Sequence, residues 1–119
     1  PPPDTSSSRL AEARAEQAYQ EGNQWLNDGE PEKAYTAYAK ALKLAPEHAG
    51  AKAALLKIKA QTVDAYYADA ARARRRQNYT EALDYLDKLL EIDPNHEKAK
   101  ANRLEIKAIL DRERAEQQR

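Results

Sequence analysis

The chain has 119 residues, with 20 Lys and Arg balanced by 20 Asp and Glu, so its formal net charge is zero. A balanced chain has no global field to attract nucleic acid or an anionic membrane, so a nucleic-acid partner is disfavoured. Cys is absent, which excludes disulfides and thiolate chemistry. No apolar run is long enough for a transmembrane segment.

Strong helix formers dominate the sequence, and the elements that they predict follow in chain order. Residues 1–8 combine prolines with small polar residues and are predicted to be a disordered linker or tether. From about Arg9, apolar residues recur at steps of three and four up to Asp28, which predicts a first helix. Pro31 suits the first position of a second helix, because its missing N–H costs nothing there, and Pro46 ends that helix.

Three more helices are predicted in the second half. Residues 47–77 contain no helix breaker after Gly50, so the third helix is expected to be unusually long. A fourth covers residues 81–92, and a fifth, also long, covers about residues 96–119. The short connections between these five helices predict antiparallel neighbours in an all-α fold.

The clearest pattern in the chain is an internal repeat. Residues 46–60 and 94–108 are identical at nine of fifteen positions, so that Pro94 repeats Pro46 and sets a 48-residue period. The same offset pairs Ala34 with Ala82 upstream. A period of this size is typical of stacked helical units, in which each unit buries its apolar face against its neighbours.

Two segments resemble the tetratricopeptide repeat (TPR) family. The matching residues in 15–48 are Gly22, Trp25, Gly29, Ala34, Tyr38, Ala41 and Pro46, and those in 63–96 are Ala70, Tyr79, Ala82, Leu86, Leu90, Ile92 and Pro94. The resemblance implies antiparallel helical hairpins stacked into a solenoid. Tyr35, Tyr38 and Trp25 occupy packing positions, so we expect them in the core.

The 48-residue period is longer than the usual unit of this family, which has about 34 residues. The excess, close to four helical turns, would lengthen a helix while nearly preserving its buried face. We therefore interpret 49–62 and 97–110 as helical extensions and 111–119 as a truncated or capping helix. Residues 9–119 would then form a single TPR-like domain.

The resemblance also implies a binding surface, because the first helices of such hairpins line a concave face that holds extended peptides. The residues that map to this face are Tyr19, Asn23, Leu26, Asn27, Asp64, Tyr67, Ala71, Arg74 and Arg75. The basic run that ends at Arg76 indicates an acidic partner or a solvated helix end, and a packing role for Tyr19 and Tyr67 stays open.

No pattern of catalytic residues is present, so we expect neither an enzyme nor a cofactor. His48 and His96 occupy equivalent turns and are interpreted as helix-start residues, so no metal site is predicted.

The sequence therefore predicts a non-enzymatic interaction or scaffold module that binds a partner protein or peptide. The alternative is a self-assembly module, forming homo-oligomers within a bacterial cell-envelope or secretion/pilus complex. The compartment is unknown; a soluble protein is expected, with a lean towards the periplasm over the cytoplasm.

Overall fold

A computed structural model describes residues 5–119 and shows an all-α fold over that range. The five helices are α1 (Thr5–Asn27), α2 (Pro31–Leu44), α3 (Ala49–Arg75), α4 (Tyr79–Ile92) and α5 (Glu97–Gln117). Neighbouring helices pack as antiparallel hairpins through short connections, which confirms the predicted fold class. The third and fifth helices are long, as expected, with 27 and 21 residues.

The start of α1 differs from the prediction. The helix begins at Thr5 rather than at about Arg9, so it takes in residues 5–8 of the predicted linker and reaches 23 residues. Ser and Thr cost a helix interior only about half a kcal/mol each, which a long helix that is already nucleated can offset. Residues 1–4 of that predicted linker lie outside the described residues.

The 48-residue period recurs in the helix boundaries. Both ends of α4 lie one full period after the ends of α2, and α5 begins one full period after α3. The turns repeat as well: Gly29 and Gln77 adopt positive φ values of 77° and 63°. The next residue in each turn donates its N–H to the carbonyl five positions back, at 2.9 Å. Equivalent sequence positions therefore make equivalent local backbone structure.

The chain divides into two compact units with the boundary between Thr62 and Val63, inside α3. We call residues 5–62 unit 1 and residues 63–119 unit 2. The second predicted repeat copy also begins at residue 63. A single domain over residues 9–119 stays a prediction.

The core of unit 1 consists of small residues around one large ring. One cluster contains only alanines, Ala15, Ala18, Ala41 and Ala51, and the other contains Ala34, Tyr38 and Ile58. Gly22 lets α1 and α2 approach closely, because a Cβ atom there would lie 2.5 Å from the Tyr38 ring. The buried Tyr38 ring thus occupies the space that a side chain at position 22 would need.

The core of unit 2 is built from the equivalent positions, but several of them carry side chains of a different size. Its buried members are Val63, Tyr66, Ala70, Ala73, Ala82, Leu86, Leu89, Ala99 and Ile106. Ala70 stands where unit 1 has Gly22, and Leu86 stands where unit 1 has Tyr38. Compared with unit 1, the first helix of the unit 2 hairpin therefore carries a larger residue and the second helix a smaller one.

Candidate partner-binding site

A depression in unit 2 brings together four of the predicted binding residues. It has a volume of about 390 Å³ and is lined by Tyr67, Ala70, Ala71, Arg74, Arg75, Leu86, Asn102 and Ile106. The lining residues of α3 recur at steps of three and four, so they share one helix face. We call this depression, with those eight residues, the unit 2 groove.

A polar network fixes one wall of the unit 2 groove. Arg74 donates from Nη1 to Asn102 Oδ1 at 2.7 Å, and its Nη2 lies 2.9 Å from Glu105 Oε2. Asn102 in turn donates from Nδ2 to Tyr67 Oη at 3.0 Å and to the Lys98 carbonyl. The guanidinium and the phenol are therefore held in place, so a ligand would not have to order these side chains on binding.

The edge of the groove carries positive charge without a counter-ion. Arg75 is exposed, and neither Arg75 nor Arg76 forms an ion pair with any residue in the described range. Arg72 is paired with Asp69 on the same helix. Cations are stabilised at the carboxyl end of a helix by the backbone dipole, which favours the arginines in the last turn of α3.

The predicted residues of unit 1 are mostly used in internal packing. The Tyr19 ring centroid lies 5.7 Å from that of Tyr38 and 4.9 Å from that of His48. Leu26 packs against the cluster that contains Tyr38, and only Asn27 of this set is exposed. The packing role that was left open for Tyr19 is therefore the one that unit 1 shows.

Asn23 has a specific internal role. It accepts a hydrogen bond from Tyr38 Oη at 2.6 Å. Burial raises the pKa of Tyr38, and the nearby Tyr19 raises it further, so the phenol stays protonated and donates. Asp64, the remaining predicted residue, is exposed on α3 but does not line the unit 2 groove.

Asn102 belongs to the groove but was missed by sequence reasoning. The equivalent residue of the first copy is Ala54, which is half-buried, so the periodic pattern predicts a packing position in both copies. The signal that could have identified Asn102 is the change from Ala to a hydrogen-bonding amide inside a helix, where Asn is not favoured by propensity. Such a change within a repeat indicates a local polar partner.

Both histidines lie at helix starts, as predicted. His48 Nδ1 accepts a hydrogen bond from the Ala51 N–H, and His96 Nδ1 accepts one from the Ala99 N–H, each at 3.0 Å. Each ring nitrogen thus satisfies one of the free N–H groups of a first helical turn. Within residues 5–119 no group of three or more His, Cys, Asp or Glu side chains could hold a metal ion.

Glu16 links α1 to the start of α3 and should make the stability of the fold depend on pH. Its Oε1 accepts from Gln20 Nε2 at 2.9 Å, and its Oε2 lies 2.7 Å from His48 Nε2. The hydrogen bond from Gln20, and then the one from His48, lower the pKa of Glu16 below its usual 4.5. A carboxyl with a lowered folded-state pKa stabilises the fold above its unfolded pKa, and the contribution is lost as the pH falls through the folded pKa.

Glu16→Gln should therefore reduce the loss of stability on acidification, measured by urea unfolding from about pH 6 to about pH 3. Glu12→Gln, which changes an exposed carboxyl on the same helix, serves as the control and should keep the wild-type profile. Identical pH profiles for Glu16→Gln and the wild type would contradict the assignment.

Trp25 departs from the core position expected of it. Its side chain is 38% exposed, and the Lys33 ammonium lies 4.6 Å from the ring centroid. Trp25 lies in the last turn of α1, which ends at Asn27, close to the turn at Gly29. An exposed indole such as that of Trp25 is a common contact residue at protein interfaces.

Comparison with known proteins identifies no relative: no family model matches the chain, and no curated protein matches it. None of the helices in residues 5–119 is both long and apolar enough to cross a membrane.

Proposed function

We propose that this chain is a protein-interaction module of the TPR type, in which the unit 2 groove binds an acidic, extended segment of a partner protein. The observation that supports this most directly is Arg75, which forms no ion pair with residues 5–119, beside the ordered Arg74–Asn102–Tyr67 network. The 48-residue recurrence of the helical hairpins supports the TPR assignment.

The chemistry of the groove favours a carboxylate ligand. A guanidinium presents parallel N–H donors that match the two oxygens of a carboxylate, which gives direction as well as charge attraction. Arg75 is free to make that contact, and Arg74 is held by Glu105, whose side chain is 60% exposed. A carboxylate of the partner can therefore exchange with Glu105 at the surface.

The size of the groove favours an extended segment over a globular face. A volume of about 390 Å³ accommodates a few side chains. Tyr67 offers a large, rigid contact area beside the arginines, a combination that is common among residues with strong binding contributions. We propose a scaffold role without catalysis; a place in the bacterial cell envelope stays a prediction from the sequence.

The test is the binding of a fluorescein-labelled hexaglutamate peptide, followed by anisotropy at low ionic strength. Arg75→Glu should weaken binding about tenfold, equivalent to ~1.4 kcal/mol, because it puts a like charge at the groove edge. Arg76→Glu makes the same charge change one residue away, at a position that does not line the groove, and should have a much smaller effect.

Two results would count against the proposal. Wild-type binding no tighter than that of a labelled hexalysine peptide would remove the acidic preference. Equal weakening by Arg75→Glu and Arg76→Glu would indicate general attraction to the basic run rather than binding in the groove. Circular dichroism of each variant checks that the helices are retained.

A further inference from the structure

The last two turns of α1 carry an acidic face with an indole at its centre. Glu21, Gln24, Trp25 and Asp28 line a depression of about 220 Å³. Their spacing of three, four and seven positions places them on one side of the helix. We call these four residues the acidic face.

The carboxylates of the acidic face have no ion-pair partner among the described residues, whereas its Trp25 ring already contacts a cation. Neither Glu21 nor Asp28 takes part in an ion pair with any residue of the described range. The ammonium of Lys33 lies over the Trp25 ring, at a distance typical of cation–π contacts. This surface therefore favours positively charged groups through both its carboxylates and its ring.

The equivalent face of unit 2 has the opposite charge. A shift by one repeat period converts the acidic face into Asp69, Arg72, Ala73 and Arg76. Gln24 thus corresponds to Arg72, and Asp28 corresponds to Arg76. Asp69 is paired with Arg72, so this basic face carries a net positive charge at Arg76, which is exposed and forms no ion pair within residues 5–119.

We propose that the acidic face of one copy of this chain binds the basic face of a second copy. The occupant follows from charge complementarity, since the chain carries both an acidic surface without counter-ions and a basic one at the equivalent place of its repeat. Arg76 of one copy would lie between the carboxylates of Glu21 and Asp28 of the other, near the Trp25 ring.

The contact joins two different surfaces, so it is heterologous. After pairing, one copy keeps its basic face free and the other keeps its acidic face free, so association continues head to tail until it closes into a ring or extends as a chain. This self-association is separate from the unit 2 groove, because neither Arg76 nor the acidic face lines that groove.

The strength of the contact is limited by its exposure. Surface ion pairs and exposed cation–π contacts each contribute little to binding, because water screens both. Association should therefore be weak and should decrease as salt increases, because the screening length shortens to about 8 Å near physiological ionic strength.

The experiment is sedimentation of the full chain over a concentration series at low ionic strength. The wild-type weight-average mass should rise above the monomer mass at the highest concentrations, and added salt should reverse the rise. Trp25 is the sole Trp of the chain, so its emission should shift over the same concentration range. Asp28→Arg alone and Arg76→Glu alone should each abolish both signals.

Mixing the two variants distinguishes this contact from any other. The intact acidic face of Arg76→Glu can bind the intact basic face of Asp28→Arg, so the mixture should regain the association that neither variant shows alone. Arg75→Glu, which alters the groove, should associate like the wild type. A wild-type mass that stays monomeric throughout, or single variants that associate as the wild type does, would overturn the proposal and leave peptide binding by the groove intact.

Discussion

Gly22→Ala is expected to destabilise the protein by about 1–3 kcal/mol, even though Ala is normally the better helix former. The added Cβ atom would lie 2.5 Å from Cε1 of Tyr38 and 2.6 Å from Cδ1. The Tyr38 ring cannot move away at low cost, because it is buried and its hydroxyl donates to Asn23. Urea unfolding followed by circular dichroism measures the effect.

The repeat supplies a second variant that should relieve the clash at position 22. Unit 2 carries Ala70 and Leu86 where unit 1 carries Gly22 and Tyr38, so the combination of Ala with Leu already exists in a packed hairpin. Gly22→Ala combined with Tyr38→Leu should be more stable than the sum of the single effects by at least about 1 kcal/mol. Strictly additive effects would show that the two positions do not compete for space.

Leu89→Ala is expected to destabilise unit 2 by about 2–5 kcal/mol. Leu89 is fully buried in the main cluster of that unit, so removing its side chain loses apolar burial and leaves a cavity. Thermal or urea unfolding should show this loss of stability as a lower unfolding midpoint.

Leu104→Ala provides the matched control, since it removes the same atoms from a side chain that is 70% exposed on α5. Its effect should lie within about 0.5 kcal/mol of zero. Comparable destabilisation by both changes would mean that the burial of Leu89 does not determine the stability of unit 2, and it would contradict the packing described for that unit.

The helices were largely predictable because their signals are local. Proline and the turn residues end helices wherever they stand, and the 48-residue repeat made each boundary in one copy a check on the other. The start of α1 was missed for the same reason: Ser residues indicate a cap or linker in a short window, whereas the cooperativity of a long helix extends through them.

The candidate site was predictable only in part. Tyr67, Ala71, Arg74 and Arg75 share a face of α3 by spacing alone, and they do line one depression. Asn102 comes from another helix, and no local pattern connects it with Tyr67 across 35 residues. The exposure of Trp25 was equally inaccessible, because it depends on which residues lie beside the ring in space.

The sequence by itself determined the helix content, the turns and the 48-residue period, since these depend on side-chain properties within a few residues of each position. The tertiary structure alone decided what else equivalent residues contact. Tyr19 and Tyr67 each pack against the histidine that precedes the next long helix. The Tyr19 ring also contacts Tyr38, while Tyr67 Oη accepts a hydrogen bond from Asn102 at the groove. The physical reason is that burial and hydrogen bonding depend on neighbours in space, and two copies of one pattern have different neighbours wherever a single partner changes size or polarity.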